Sequence, residues 1–369
     1  MKILYIFTFD YSFNIWKETG ILDREIEYFN RLKSKNVELT ILTFGDESDE
    51  DLLKDYNFKI YPIYKYFKKP RYKIFRILKS FAFPFFIKKN IDFDIVKQNQ
   101  LQGSWIPIIL KIITGKKLII RTGYDVFLFS IKEKKAYFKR LLFYLLTQLS
   151  ISFSNIYTVT SINDKKFLEK YFFVRKKTIQ VRRNWVQHAN KNTELNVRNE
   201  DCVISVGRLE SQKNYRKLID LLKGSSKKLL IFGNGSEKNL ILEYAKRQGV
   251  EIEIRDPVQN TVLTNLMCNY KFYITTSLFE GNPKSILEAM GAGCVVIAPK
   301  NENNYEVIKN EFNGFLYDMN NTENFEYFFN KNDDHLNTIS SNAFETIRKD
   351  YSLGSFISQE IREFKEITI

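Results

Sequence analysis

The chain has 369 residues, 44% hydrophobic and 27% charged, with 32 Phe, 21 Tyr and only seven Pro. That length exceeds one comfortable hydrophobic core and predicts two domains, and the composition excludes a disordered chain or a fibrous repeat. The formal net charge of +14 is unevenly placed: residues 1–190 hold 35 Lys and Arg against 18 Asp and Glu, whereas 191–369 hold 22 against 25. Such asymmetry marks either one half facing an anionic partner or a chain shaped by a biased, Lys-rich genome.

At the N-terminus, the apolar run Met1–Phe9 is cut short by Asp10 and has no small-residue cleavage site after it. It reads as a first strand, "KILYIFTF", rather than a signal peptide. The loop "WKETG" follows, then Leu22, Ile26 and Phe29 at helical spacing, then a second strand, "VELTILTF". From Tyr56 to Ile91 there is no acidic residue, and aromatic and aliphatic residues are threaded among lysines and arginines. The segment 65–90 therefore predicts contact with an anionic membrane surface; a solvated face or a single-strand nucleic-acid groove is the alternative. The apolar stretches Trp105–Thr114 and Leu141–Ile151 fall short of the ~20 residues that a spanning helix needs.

Further strands are expected at "KLIIRTG", "IYTVT" and "TIQVRRN". After a polar linker, 188–200, they recur at "CVISVGR", "KLLIFGNG", "VEIEIRD", "KFYITTS", "CVVIAP" and "GFLYD". Strict alternation with helical stretches predicts parallel, doubly wound α/β sheets, which bind ligands beyond the carboxyl ends of their strands. The expected organisation is a first domain over 1–187, a second over 201–350, and a C-terminal helix over 351–369 that packs back on the first. Cys202, Cys268 and Cys294 lie far apart and read as buried free thiols of a reducing cytoplasm.

Three motifs in the second half carry chemistry. "SVGRLESQKN" places Arg208 after a strand ending in Gly207, and Lys213 where the next helix begins. An Arg and a Lys at the mouth of a parallel sheet suit a diphosphate, although two surface cations are the plainer reading of that spacing alone. "IFGNGS", with Gly233, resembles half of a dinucleotide fingerprint, a pattern that often marks only a tight turn. In "FEGNPKSILEAMGAGCVVIAP", Pro283 suits a first helical position with Asn282 as N-cap, and Gly293 ends the helix. Glu280 then lies ahead of the helix and Glu288 inside it. The N–H groups from Asn282 through Lys284 to Ser285 point forward as an anion site between two carboxylates. The plain alternative is a capped helix with two solvated glutamates.

Arg208, Lys213, Glu280 and Glu288 in this order, with "FGNGS" and "NGFLYD", resemble the successive blocks of the retaining GT-B glycosyltransferases of the family-4 type, which include many bacterial surface-polysaccharide enzymes. The first half resembles that family more loosely, through the "KETG" glycine loop at Gly20 and through "TIQVRRNWV". The resemblance implies two Rossmann-like domains facing a central cleft. It also implies a nucleotide-sugar donor whose diphosphate is held by Arg208 and Lys213, whose sugar hydroxyls meet Glu280, and whose ribose diol meets Glu288.

Where many members carry His-Gly, this chain reads "IIRTGYD", with Arg121 in the His position. Arg121 either supplies charge near the transferring sugar or is a packed structural arginine. Tyr124 and Asp125 are placed on the acceptor side, with a helix cap as the alternative for Asp125. Of the two histidines, His188 sits in the linker and His335 in a polar stretch, so neither suits a catalytic base. No metal-ligand cluster is visible, so neither a metal nor another cofactor is expected, and cations and helix dipoles are expected to hold the leaving diphosphate.

The expected protein is a glycosyltransferase of cell-surface polysaccharide synthesis, peripheral on the inner face of the membrane, acting on a glycan or lipid-linked acceptor. A non-catalytic nucleotide-sugar-binding module and an epimerase on the same fold are the alternatives. Nucleic acid is not an expected partner, because the basic residues form no recognition pattern.

Overall fold

Two parallel sheets organise the computed structural model, which describes residues 1–123, 126–133, 135–175, 178–186, 194–321 and 325–368. In the first sheet, β1 (Lys2–Ile6), β2 (Glu38–Thr43), β3 (Lys59–Pro62), β4 (Ile95–Asn99), β5 (Lys117–Arg121), β6 (Ile156–Val159) and β7 (Ile179–Val181) lie in the order β3-β2-β1-β4-β5-β6-β7. In the second, β8 (Asn199–Val206), β9 (Lys228–Phe232), β10 (Ile252–Arg255), β11 (Tyr270–Ile274), β12 (Val295–Pro299) and β13 (Phe315–Tyr317) lie in the order β10-β9-β8-β11-β12-β13. Every pairing is parallel. The chain divides into two compact units, Met1–Arg183 with the residues from Ile357 on, and Asn184–Phe356. Each is α/β and doubly wound, as the alternation of patterns predicts.

Central parallel strands are covered on both faces, so they read as continuous apolar runs. Ile3 to Ile6 in β1 and all five residues of β12 are buried. Two strands lack such a run and escape the sequence pattern. β3 is an edge strand ending in Pro62, within the basic segment. β4 is central but carries Lys97 and Gln98, both buried. The stretch before Gly20 also differs from expectation: instead of a loop, Phe13–Glu18 is a helix whose N-cap Ser12 accepts a hydrogen bond from the Ile15 N–H at 3.3 Å. Gly20, at φ 72, makes the turn into the next helix, Leu22–Lys33.

The C-terminal helix, Leu353–Thr368, explains the polar β4. Lys97 Nζ pairs with Glu360 Oε1 at 2.5 Å, both side chains at most 3% exposed, and Tyr28 donates to Glu360 Oε2 at 2.6 Å. One turn on, Glu363 pairs with the buried Arg182. Burial alone would raise the pKa of Glu360, but Lys97 and Arg182 outweigh it and hold the carboxyl below its ordinary value. Burial pushes Glu363 up to about 7 against the pull of Arg182.

Residues 187–193, which include His188 and much of the expected linker, lie outside the described residues, and β8 already begins at Asn199. Cys268 and Cys294 are buried free thiols, and burial pushes Cys294 up to about 12. Cys202 is only half-buried, which corrects the expectation for that residue: its strand leaves the sheet's cover at its amino end, where Asn199 to Asp201 are exposed. Among the described residues, no helix is long and apolar enough to cross a membrane.

Candidate functional site

Strand order fixes where a ligand meets the second unit. From β8 the chain winds through β9 and β10 toward one edge, then returns to pair β11 on the other side of β8. The reversal therefore lies between β8 and β11, and doubly wound sheets bind ligands outside the carboxyl ends of the strands at such a point. The segment after β8 carries Gly207, Arg208 and Lys213. The segment after β11 carries Glu280 and Asn282 and leads into the helix Lys284–Gly291.

Backbone and amide contacts staple these two segments together. The Leu278 N–H donates to the Gln212 carbonyl at 3.0 Å, and Gln212 Nε2 donates to the Phe279 carbonyl at 2.8 Å. Thr276 Oγ1 donates to the carbonyls of Lys213 and Asn214 at 3.0 and 2.9 Å. The result sets Lys213 Nζ against Glu280 Oε1 at 2.5 Å, with the side chains only 15% and 17% exposed. Asn303 Nδ2 donates to the carbonyls of Glu280 and Gly281, which fixes the loop from the far side.

Glycines let the neighbouring loops close on this pair. A Cβ on Gly207 would stand 2.7 Å from Lys213 Cε, so the lysine stem lies directly over the glycine. A Cβ on Gly233 would meet the Gly207 carbonyl oxygen at 1.9 Å, and one on Gly235 the Leu209 carbonyl oxygen at 2.5 Å. The Gly-x-Gly after β9 thus serves the close approach of two backbones that supports the β8 loop.

The helix after β11 begins one residue later than the sequence suggests, at Lys284, with Pro283 in the cap position and no side-chain cap. Asn282 does not turn back to cap it, because its Oδ1 accepts from the Asn184 N–H at 3.2 Å. The first bond of the helix runs from the Leu287 N–H to the Pro283 carbonyl at 3.2 Å, so the N–H groups of Lys284 and Ser285 lie ahead of its ladder. Gly293, at φ 73, closes the far end: its N–H bonds to the Met290 carbonyl and that of Cys294 to the Ala289 carbonyl, both at 2.9 Å.

Glu288 is no solvated carboxylate. It is 4% exposed, accepts from Asn260 Nδ2 at 2.6 Å and pairs with Lys284 Nζ at 3.1 Å. Both contacts fall on Oε1, and Oε2 has no partner among the described residues. Arg208 is exposed and its side chain makes no hydrogen bond or ion pair among the described residues. The second unit therefore brings together a paired lysine, an unengaged arginine, a helix N-terminus and a carboxylate with one open oxygen. That combination suits a molecule with phosphates and vicinal hydroxyls.

The sequence misses Gln212, Thr276, Asn303 and Asn260, polar residues that hold backbone or Oε1 in place; Gln212 lies within "SVGRLESQKN", but nothing in that motif singles it out. In the first unit, Arg121 ends β5, and burial lowers its pKa while Tyr5, Glu25 and Glu360 pull it upward. Tyr124 and Asp125 lie outside the described residues. Among the described residues, no three His, Cys, Asp or Glu side chains are grouped to hold a metal ion.

Known glycosyltransferases resemble the chain over part or all of its length. Residues 186–331 match the family model for glycosyl transferases group 1. The chain is 28% identical over 146 residues to the amylovoran biosynthesis glycosyltransferase AmsD of Erwinia amylovora, covering 38% of this chain and 42% of that one. It is 25% identical over 285 residues to the uncharacterized glycosyltransferase MJ1059 of Methanocaldococcus jannaschii, covering 70% and 63%. The matched regions thus span less than two thirds of either curated relative. Among solved structures, Anabaena Alr3699/HepE in complex with UDP and glucose superposes with a TM-score of 0.74 at 16% identity, over 99% of this chain and all of that one.

Proposed function

With a group 1 glycosyl transferase domain in its second unit and the GT-B fold throughout, the chain is, we propose, a retaining glycosyltransferase that moves a sugar from a nucleotide-sugar donor to a glycan acceptor. The observation that carries this reading is the Lys213–Glu280 pair at the β8/β11 reversal, directly ahead of the helix that carries Glu288. Arg208 and Lys213 hold the donor diphosphate together with the N–H groups of Lys284 and Ser285, Glu280 meets the sugar hydroxyls, and Glu288 Oε2 meets the ribose diol. As the bond from the anomeric carbon to phosphate breaks, negative charge grows on the diphosphate beside these fixed cations. The acceptor hydroxyl bonds to the anomeric carbon on the face the diphosphate leaves, and its proton passes to the departing phosphate oxygen.

Residual activity in a nucleotide-sugar transfer assay tests this reading. Transfer with retained anomeric configuration supports it. A chain that binds nucleotide-sugars without turnover supports a binding module, the reading favoured by a half-buried Arg121 standing in place of a histidine. Because Arg208 and Lys213 already supply positive charge at the diphosphate, activity is expected to survive EDTA; a large loss restored by Mg²⁺ would contradict this. Gly207→Ala is a second probe. Its methyl displaces the Lys213 stem, and a misplacement on the order of 1 Å costs about 10²-fold in rate. Turnover equal to that of the unaltered protein would remove Lys213 from the mechanism.

The acceptor is carried on lipid in cell-surface polysaccharide synthesis, and the protein sits peripherally on the inner face of the membrane through residues 65–90. Each lysine or arginine near an anionic surface contributes ~1 kcal/mol. Co-sedimentation with anionic vesicles, weakened by salt and by replacing Lys68, Lys69, Arg71 and Lys73 with Glu, is the expected result. Equal binding to anionic and neutral vesicles, or none to either, overturns it.

A further inference from the structure

Helix Tyr137–Phe153 of the first unit is amphipathic the wrong way round for water. Tyr137, Phe138, Leu141, Leu142, Leu145 and Leu149 form one exposed stripe, between 41% and 80% exposed, whereas Thr147 and Ser150 are fully buried and Ile151 is the one buried apolar residue of the helix. Ser150 Oγ bonds to Ser104 Oγ at 2.9 Å beneath it. The inversion recurs on the helix Lys73–Ser80. There Ile74, Phe75 and Leu78 are 54% to 59% exposed, while Ser80 is buried and Arg76 turns inward to Asp10 at 2.9 Å. A water-facing helix places these classes on the opposite faces.

The two helices belong to one continuous layer. Trp105 Nε1 donates to Ser80 Oγ at 2.8 Å, joining Lys73–Ser80 to the helix Trp105–Thr114. Lys88 Nζ donates to the Ile113 carbonyl at 3.0 Å, joining the helix Phe83–Asn90 to the same one, and Trp105–Thr114 packs against Tyr137–Phe153. The two helices between them also expose apolar side chains, Phe85 and Ile112, each 60% exposed. None of the four helices contains an Asp or Glu, and residues 56–163 as a whole hold 20 Lys and Arg against four Asp and Glu.

From this we infer that the layer seats the first unit on an anionic lipid bilayer, with the outward stripe of Tyr137–Phe153 lying in the interface among the acyl chains. A bilayer is the occupant because it alone offers a broad apolar surface rimmed by negative charge, which an acid-free layer of exposed aromatics, leucines and lysines complements. The inference rests on the membrane reading of residues 65–90 and extends it from charge attraction to insertion through a second, separate helix.

The test uses the full chain, phosphatidylglycerol-containing vesicles and pure phosphatidylcholine vesicles. The triple variant Leu141→Gln, Leu145→Gln and Leu149→Gln changes only exposed positions and should bind anionic vesicles about tenfold or more weakly, with nucleotide-sugar binding unchanged. A tryptophan introduced as Leu145→Trp should be quenched by brominated acyl chains beyond the background of the native tryptophans. Binding by the triple variant equal to that of the unaltered chain, with no quenching, overturns insertion and leaves the 65–90 reading standing. Absence of binding to anionic vesicles overturns both. If instead the triple variant converts a dimer to a monomer on size exclusion while vesicle binding is unchanged, the stripe is an interface between copies and the inference fails.

Discussion

Lys213→Ala is expected to lower kcat/KM for sugar transfer by about 10²- to 10³-fold, equivalent to roughly 2–4 kcal/mol of transition-state stabilisation. Two effects add. The ammonium no longer faces the diphosphate, and Glu280, held 2.5 Å from it, becomes an uncompensated carboxylate beside the developing negative charge. The fold should persist, because the loop is held through the Lys213 backbone, whose carbonyl accepts from Thr276. Glu288→Ala should lose a similar factor by removing Oε2, and it also strips Asn260 and Lys284 of their shared acceptor. Glu280→Gln is milder, since it keeps the shape and loses the charge. Steady-state kinetics with a circular-dichroism control decide it; undiminished turnover and donor affinity in Lys213→Ala would place the diphosphate elsewhere.

The second large effect concerns stability. Glu360→Ala leaves Lys97 buried without its counter-charge, and breaking a buried pair on one side costs about 3–5 kcal/mol. Urea unfolding should show that loss as a lower midpoint with the transition's slope kept; a change under about 0.5 kcal/mol would mean that surface-like screening reaches the pair. The neighbouring Glu363 adds a pH dependence of defined sign. Its folded pKa of about 7 lies above the ordinary 4.5, so its contribution is complete below 4.5 and is lost as pH rises through about 7. Glu363→Gln should flatten stability over that interval.

The sequence announces those parts of the fold whose physics is local. β1 and β12 are buried on both faces and show it as apolar runs, and Gly293 marks a helix end that only a positive φ can close. β4 is hidden because its Lys97 is balanced by Glu360, more than two hundred residues away in sequence. Arg208, Lys213, Glu280 and Glu288 stand out by residue type and spacing. Gln212, Thr276 and Asn303 do not, since each works on backbone carbonyls and any short polar loop would look the same. The start of the helix at Lys284 was also illegible, because Asn184, which holds the Asn282 side chain, lies beyond any local window. From sequence, the helix Tyr137–Phe153 shows only as the apolar stretch Leu141–Ile151, too short to span a membrane; only the structure's burial reveals which face is turned out.

The central claim is that a nucleotide-sugar is held at the β8/β11 reversal by Lys213 and Glu288. The most direct measurement is calorimetric titration of the purified chain with UDP- and GDP-sugars, repeated on Lys213→Ala and Glu288→Ala and followed by mass spectrometry of whatever nucleotide-sugar the protein retains. The account predicts saturable binding of at least one donor, weakened at least tenfold by each substitution. Binding that neither substitution alters, or no binding of any nucleotide-sugar, would contradict it.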